Sequence, residues 1–325
     1  MDILYSFERL DNQRQILAKK IPPNSKIIVP DEASLAIASC MCMHDDYTLF
    51  LPRARDYGMD SIQLEDKRRL HGMKKDDKFH LISVNSTALE SVKRTMGDAV
   101  NEAVLIKWPS GGAPKENREM NVKKDSKPVL PFNTFKTPFS PVDKGKLPQS
   151  LEHCPVISFG DYRYFVHPLS DAVPFIEAQL LREGVKEMEK MMEDCDVLLT
   201  AVFMGVPLGA PLSLITGIPL AVAIKQDGGK NYVKVRQDTG YFSGELFVPR
   251  LEEKTRVGLV DDVLSTCGTL RALTTAVTDM KATVEFSAFL FNKVENTGKI
   301  ENELGFAVKR AFNTCVTKDG VEFFR

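Results

Sequence analysis

Apolar residues gather in short unbroken runs, separated by amphipathic stretches, in two blocks of the chain. In the second block, 175–192 places Phe175, Ile176, Leu180, Val185, Met188 and Met192 near one face with charges between them. That is the 3.6-residue rhythm of a helix lying on a core. The run 196–203 shows no polar alternation and predicts a strand covered on both faces. Small and apolar residues at 205–216 predict a packed helix, 218–224 and 256–261 two more strands, 269–280 a helix and 282–291 a fourth strand. Strand and helix alternating at this spacing predict an α/β fold with a parallel sheet covered on both sides.

The first block repeats the rhythm more weakly. Strands are expected at 26–30, 47–51, 78–84 and within 99–108, with helices at 34–43 and 87–96. A shift of 171 residues lays Ser34 on Gly205 and Asp46 on Gly217, and keeps strands over strands. A shift of 179 lays Ser86 and Thr87 on Ser265 and Thr266. The pattern reads as an internal duplication of one α/β unit. In that alignment Ile82 and Ser83 stand where the second block has two aspartates.

Between the blocks, apolar periodicity disappears. A Ser-Gly-Gly-Ala-Pro stretch, a charged run at 115–127 and prolines at 128, 131, 138, 141 and 148 predict a connection without regular structure. The expected organisation is a degenerate α/β lobe at 1–108, a Pro-rich linker at 109–155 and a second lobe at 156–325.

Composition narrows the class. Of 325 residues, 43 are Lys or Arg and 44 are Asp or Glu, a formal net charge of −1. No global basic field exists to hold nucleic acid. No run approaches the roughly 20 apolar residues of a spanning helix. The N-terminus lacks a basic start followed by an apolar run, so neither a membrane nor export is expected. Six scattered cysteines suit reduced thiols in a cytoplasmic protein. Cys40-Met-Cys42 beside His44 lacks the spacing and second pair of a zinc site.

The chemistry concentrates at 257–270, Val-Gly-Leu-Val-Asp-Asp-Val-Leu-Ser-Thr-Cys-Gly-Thr-Leu. An apolar strand is expected to end at Asp261 and Asp262, followed by a turn of small hydroxylated residues and a helix. In open parallel sheets ligands bind beyond the carboxyl ends of strands. The turn Ser265, Thr266, Cys267, Gly268 and Thr269 would then point backbone N–H groups and hydroxyls at an anion such as a phosphate monoester. Two carboxylates cannot serve the same phosphate; they suit sugar hydroxyls, or water around a magnesium ion.

This stretch resembles the phosphoribosyl-diphosphate motif of the type I phosphoribosyltransferases. The resemblance implies a Rossmann-like parallel-sheet fold and transfer of a 5-phosphoribosyl group from phosphoribosyl diphosphate to a nucleobase, with Mg2+. Adenine is the first base implied, then another purine or orotate. It implies that Asp261 and Asp262 hold the ribose and, indirectly, the metal. It places the pyrophosphate at Met204 and Gly205, with Lys225 as a cation and a catalytic group. The segment 228–246, rich in glycine and polar residues, corresponds to a mobile catalytic lid with Lys230, Lys234, Arg236 and Tyr241 as its working residues. A hood before the first core strand offers Tyr164 and Phe165 for stacking on the base, or as an alternating strand packed on the lobe; both readings stay open. His167, before Pro168, reads as structural. A homodimer or an internal pseudo-dimer is implied. The alternative on the same fold is a regulator that senses phosphoribosyl diphosphate without chemistry, in keeping with Met204 and Cys267 standing where the family often has a basic residue and glycine.

Overall fold

The computed structural model describes residues 4–51, 77–83, 86, 89–90, 92–93, 97–106, 146–152, 154–159, 162–173, 175–225, 227–238, 243–317 and 320–324. Along the chain run β1 (Leu4–Tyr5), α1 (Phe7–Ala18), β2 (Lys26–Ile28), α2 (Glu32–Cys42), β3 (Thr48–Phe50), β4 (Phe79–Ser83) and β5 (Val100–Leu105). Then come α3 (Lys146–Glu152), β6 (Val156–Phe159), β7 (Tyr162–Phe165), α4 (Pro168–Asp171), β8 (Ile176–Glu177), α5 (Ala178–Glu189), β9 (Val197–Ala201), α6 (Val206–Thr216) and β10 (Leu220–Ala223). The last part holds β11 (Tyr232–Asp238), β12 (Ser243–Pro249), β13 (Arg256–Leu264), α7 (Gly268–Asp279), β14 (Thr283–Asn292), α8 (Thr297–Leu304), β15 (Ala307–Val316) and β16 (Val321–Phe324).

Two sheets organise these elements. One has the order β5-β4-β2-β3-β8, the other β1-β10-β9-β13-β14-β15-β16. Within each, the first core strand is flanked by the second and third, and the strands from the two α/β units run parallel. The 171-residue repeat is carried into register: Ile27 pairs with Leu49, and 171 positions on Leu198 pairs with Leu220. The second offset is one residue shorter than expected. Leu81 lies level with Ile28 as Leu259 lies level with Leu199, which puts Ser83 at the level of Asp261.

Helices α2 and α6 are apolar all round, and nearly every residue of each is buried. Such a helix is stable only when covered on all sides, and the two pack on each other between the sheets. Asp31 caps α2, accepting from the Ser34 amide at 2.8 Å. His167 caps α4 through Nδ1, which accepts from the Leu169 N–H at 3.0 Å. Its ring is fully buried, and burial drives its pKa down to about 3. The imidazole is therefore neutral and its Nε2–H donates to Ser150 Oγ at 2.8 Å. Its place is structural.

The expected unstructured connection 109–155 is partly corrected. Residues 146–152 form α3, whose Leu147 and Leu151 are buried. The segment 107–145, with Trp108, and most of the expected helix 87–96 lie outside the described residues. Among the described residues no helix is long and apolar enough to cross a membrane, and no group of three or more His, Cys, Asp or Glu could hold a metal.

Candidate active site

In the larger sheet, β9 is flanked by β10 and β13, so the strand order reverses between β9 and β13. Ligands of doubly wound sheets settle at such a reversal. Strand β13 pairs with β9 only from Val257 to Leu259, while its ladder with β14 continues to Leu264. Beyond Leu259 the two central strands part. The expectation that the strand stops at the acids is thus corrected: Asp261 lies opposite Phe289 and Leu264 opposite Asn292, so pairing with β14 outlasts the apolar run.

Asp261 and Asp262 lie half-buried in the parting, with the Asp262 N–H donating to Asp261 Oδ1 at 3.0 Å. Burial raises both carboxyls above the usual range, Asp261 to about 6, and the neighbouring charges of Asp261 and Asp171 push Asp262 further up. The turn after β9 comes in from the other side, with the Val202–Phe203 peptide cis. There Gly205 begins α6, and a Cβ on it would lie inside the Thr200 hydroxyl and 2.6 Å from Asp261 Oδ1. Thr200 Oγ1 is buried with no hydrogen-bond partner among the described residues. Met204 is buried.

The turn after β13 reaches α7 through Cys267, whose φ of 61° is left-handed. This is the position where glycine is easiest to place. Cys267 gives α7 no side-chain cap, so the first-turn amides meet no capping side chain from it. Ser265, Thr266, Gly268 and Thr269 are half-exposed around this end. Gln237 donates its amide to Thr269 Oγ1 at 2.7 Å, tying the turn to β11.

The segment expected as a mobile lid is a β-hairpin, with β11 and β12 in register from Tyr232 opposite Pro249 to Asp238 opposite Ser243. Its apolar residues sit at alternate positions and are easily missed: Val235, Leu246 and Val248 are buried and pack with the α7 side of the core. Lys234 pairs with Glu245 at 2.5 Å and Arg236 with Asp238 at 2.9 Å, both on the exposed face. Lys225 and Lys230 are also exposed, and Tyr241 lies outside the described residues.

The two candidate base-stacking aromatics part company. Phe165 is fully buried and meets Phe291 edge to face at 5.7 Å, so it is a packing residue. Tyr164 is half-buried and its hydroxyl donates to Asp171 at 2.8 Å. Lys293 Nζ lies 4.5 Å from the Tyr164 ring centroid. Burial lowers the Lys293 pKa to about 8, against the opposing pull of Asp171. Sequence reasoning missed Lys293, Asp171, Thr200 and Gln237. A lysine directly beyond an apolar strand that neighbours the acidic strand was the available signal for the first.

No family model matches the chain. The chain is 36% identical over 177 residues to the hypoxanthine/guanine phosphoribosyltransferase of Methanotorris igneus, a match covering 54% of this chain and 96% of that protein. It is 39% identical over 174 residues to HGPRTase-like protein 2 of Halalkalicoccus jeotgali, covering 53% and 92%. Among solved structures, the adenine phosphoribosyltransferase of Thermoanaerobacter pseudethanolicus superposes with a TM-score of 0.43 at 20% identity, over 51% of this chain and 99% of that one. With relatives of 36% and 39% identity matched over nearly their whole length, the chain belongs to the type I phosphoribosyltransferases, enzymes of the glycosyltransferase class.

Proposed function

We propose that the enzyme transfers the 5-phosphoribosyl group from phosphoribosyl diphosphate to a 6-oxopurine, hypoxanthine or guanine. The observation that carries this reading is the meeting of Asp261 and Asp262 with the 265–269 turn and bare Gly205 at one reversal point. In the reaction a purine ring nitrogen forms a bond to C1′ of the ribose, the bond from C1′ to the diphosphate oxygen breaks, and pyrophosphate leaves with the electron pair. The base gives up its ring proton, which the departing pyrophosphate takes up.

Each part then has a task. Amides at the start of α7, with the hydroxyls of Ser265, Thr266 and Thr269, take the 5′-phosphate. Asp261 and Asp262 hold the ribose hydroxyls and offset the positive charge that develops on the sugar. Backbone at Met204 and Gly205 approaches the pyrophosphate, with the exposed cation of Lys225 at the edge. The hairpin, which carries Lys234 and Arg236 and follows Lys230, shields the sugar from water. Two adjacent carboxylates beside an orphaned buried hydroxyl form a hard oxygen set that fits magnesium with its water shell. Bound there, the ion would spread the negative charge of the departing diphosphate.

Adenine, the first base implied by the motif, gives way to a 6-oxopurine. The Methanotorris igneus relative carries hypoxanthine and guanine in its name. The Lys293 ammonium, close to the acidic pair through Asp171, is a donor suited to a carbonyl oxygen and unsuited to an exocyclic amine. Tyr164 offers an aromatic face nearby. The test is incubation with magnesium, phosphoribosyl diphosphate and a panel of hypoxanthine, guanine, adenine and orotate, reading released pyrophosphate. Release with the first two supports the proposal. Release with adenine alone overturns the base assignment, and binding without release replaces the enzyme reading with the sensor.

A further inference from the structure

We infer that the N-terminal half occupies the place of a second phosphoribosyltransferase lobe, so that one chain is a closed internal dimer holding a single sugar-phosphate site. The single-site clause rests on the proposed function; the architecture does not.

The architecture rests on reciprocal strand exchange. Strand β1, at the start of the first half, pairs antiparallel with β10 at the edge of the second sheet. Strand β8, directly before the second core unit, pairs antiparallel with β3 at the edge of the first sheet. The exchanges correspond residue by residue: Tyr5 lies opposite Leu220, and their counterparts 171 positions away, Ile176 and Leu49, lie opposite each other. A contact in which i meets j′ and i′ meets j is the signature of an isologous two-fold interface. Each exchanged strand leads straight into a helix, α1 or α5, and those helices pack beside α2 and α6. The largely apolar, almost wholly buried α6 of the site-bearing lobe finds its cover in its own counterpart, α2.

One buried polar clamp joins the halves. Arg182 of α5 donates to the carbonyl oxygens of Cys42 at 2.7 Å and Asp45 at 3.2 Å, and pairs with Asp46 at 2.5 Å. Its counterpart by the repeat is Asp11, which pairs with Arg14 inside α1. The halves have thus diverged while keeping the shared face.

The site corner of the first half is closed. The position of Gly205, which must be bare, is taken by Ser34, and that of Thr200 by Val29. At the level of Asp261 stands Ser83, fully buried, whose hydroxyl donates to Asp31 Oδ2 at 2.5 Å. The other Asp31 oxygen accepts from the Ser34 amide. Both oxygens of the Asp31 carboxylate are thus engaged by the chain's own Ser83 and Ser34 at this corner, and Ser83 stands in place of Asp261.

Native mass spectrometry of the full chain, over a hundredfold range of protein concentration and with added magnesium and phosphoribosyl diphosphate, tests both clauses. The expected result is a 36.4 kDa species throughout, taking up one ligand. A stable species of twice that mass overturns the closed internal dimer, and a second bound ligand overturns the closed corner. If no ligand binds, the proposed function fails, while the mass alone still decides the architecture.

Discussion

Gly205 and Asp261 approach so closely that the smallest side chain on the first would lie 2.6 Å from the carboxylate of the second. The turn after β9 and the acids on β13 therefore fit together only because one partner has no Cβ. Gly205→Ala must displace both the Thr200 hydroxyl and the Asp261 carboxylate. We expect stability to fall by about 1–3 kcal/mol and kcat/KM to fall by roughly 100-fold through misplacement of the acid. Steady-state kinetics alongside denaturant unfolding checks both.

The acidic pair sits at a cost to the unliganded protein. Both carboxyls are raised in the folded state, so the folded protein holds more protons than the unfolded chain between about pH 4 and the raised values, Asp261 near 6. Stability contributed by the pair is present at low pH and declines as pH rises through that window. The variant Asp261→Asn with Asp262→Asn should lose this slope and be more stable at pH 7 by roughly 1–3 kcal/mol. It should also lose turnover. Urea unfolding from pH 4 to 7.5 reads the first effect; an unchanged slope contradicts it.

Lys293 is expected to set the choice of base. Lys293→Met keeps the buried stem but removes the donor. The efficiency with hypoxanthine should fall by about 10–100-fold, the worth of a hydrogen bond to a charged group, while the low rate with adenine stays unchanged. The ratio of kcat/KM for the two bases is the measurement.

Arg182 joins the halves from a buried position. Arg182→Ala leaves the carbonyls of Cys42 and Asp45 without this donor, and should cost about 2–4 kcal/mol. Arg182→Lys should restore only part, because one ammonium cannot span three acceptors held by a planar fork. Binding of phosphoribosyl diphosphate at saturating stability should not change. Thermal unfolding and a titration separate the two readouts.

The sequence shows the core strands because a strand buried on both faces leaves an unbroken apolar run, as at 196–203 and 256–261. The repeat is legible for the same reason, and the 171-residue shift survives into the pairing of Ile27 and Leu49. The hairpin of β11 and β12 reads as a polar lid because one of its faces is charged and its buried residues alternate with Lys234, Arg236 and Glu245. The end of β13 is misjudged because hydrogen bonding to β14 continues past the apolar run, a tertiary effect with no local signal. Phe165 and Tyr164 stand side by side in sequence and their rings stack at 5.9 Å, so only the packing of Phe165 against Phe291 decides which is enclosed. The exchange of β1 and β8 is two residues long at each site and leaves no periodicity to read.

The most direct measurement is a crystal structure of the full chain with phosphoribosyl diphosphate and magnesium. The account predicts the 5′-phosphate on the amides of 265–269 and the ribose against Asp261 and Asp262. A sugar phosphate bound elsewhere, or beside Asp31 and Ser83 in the first half, contradicts it.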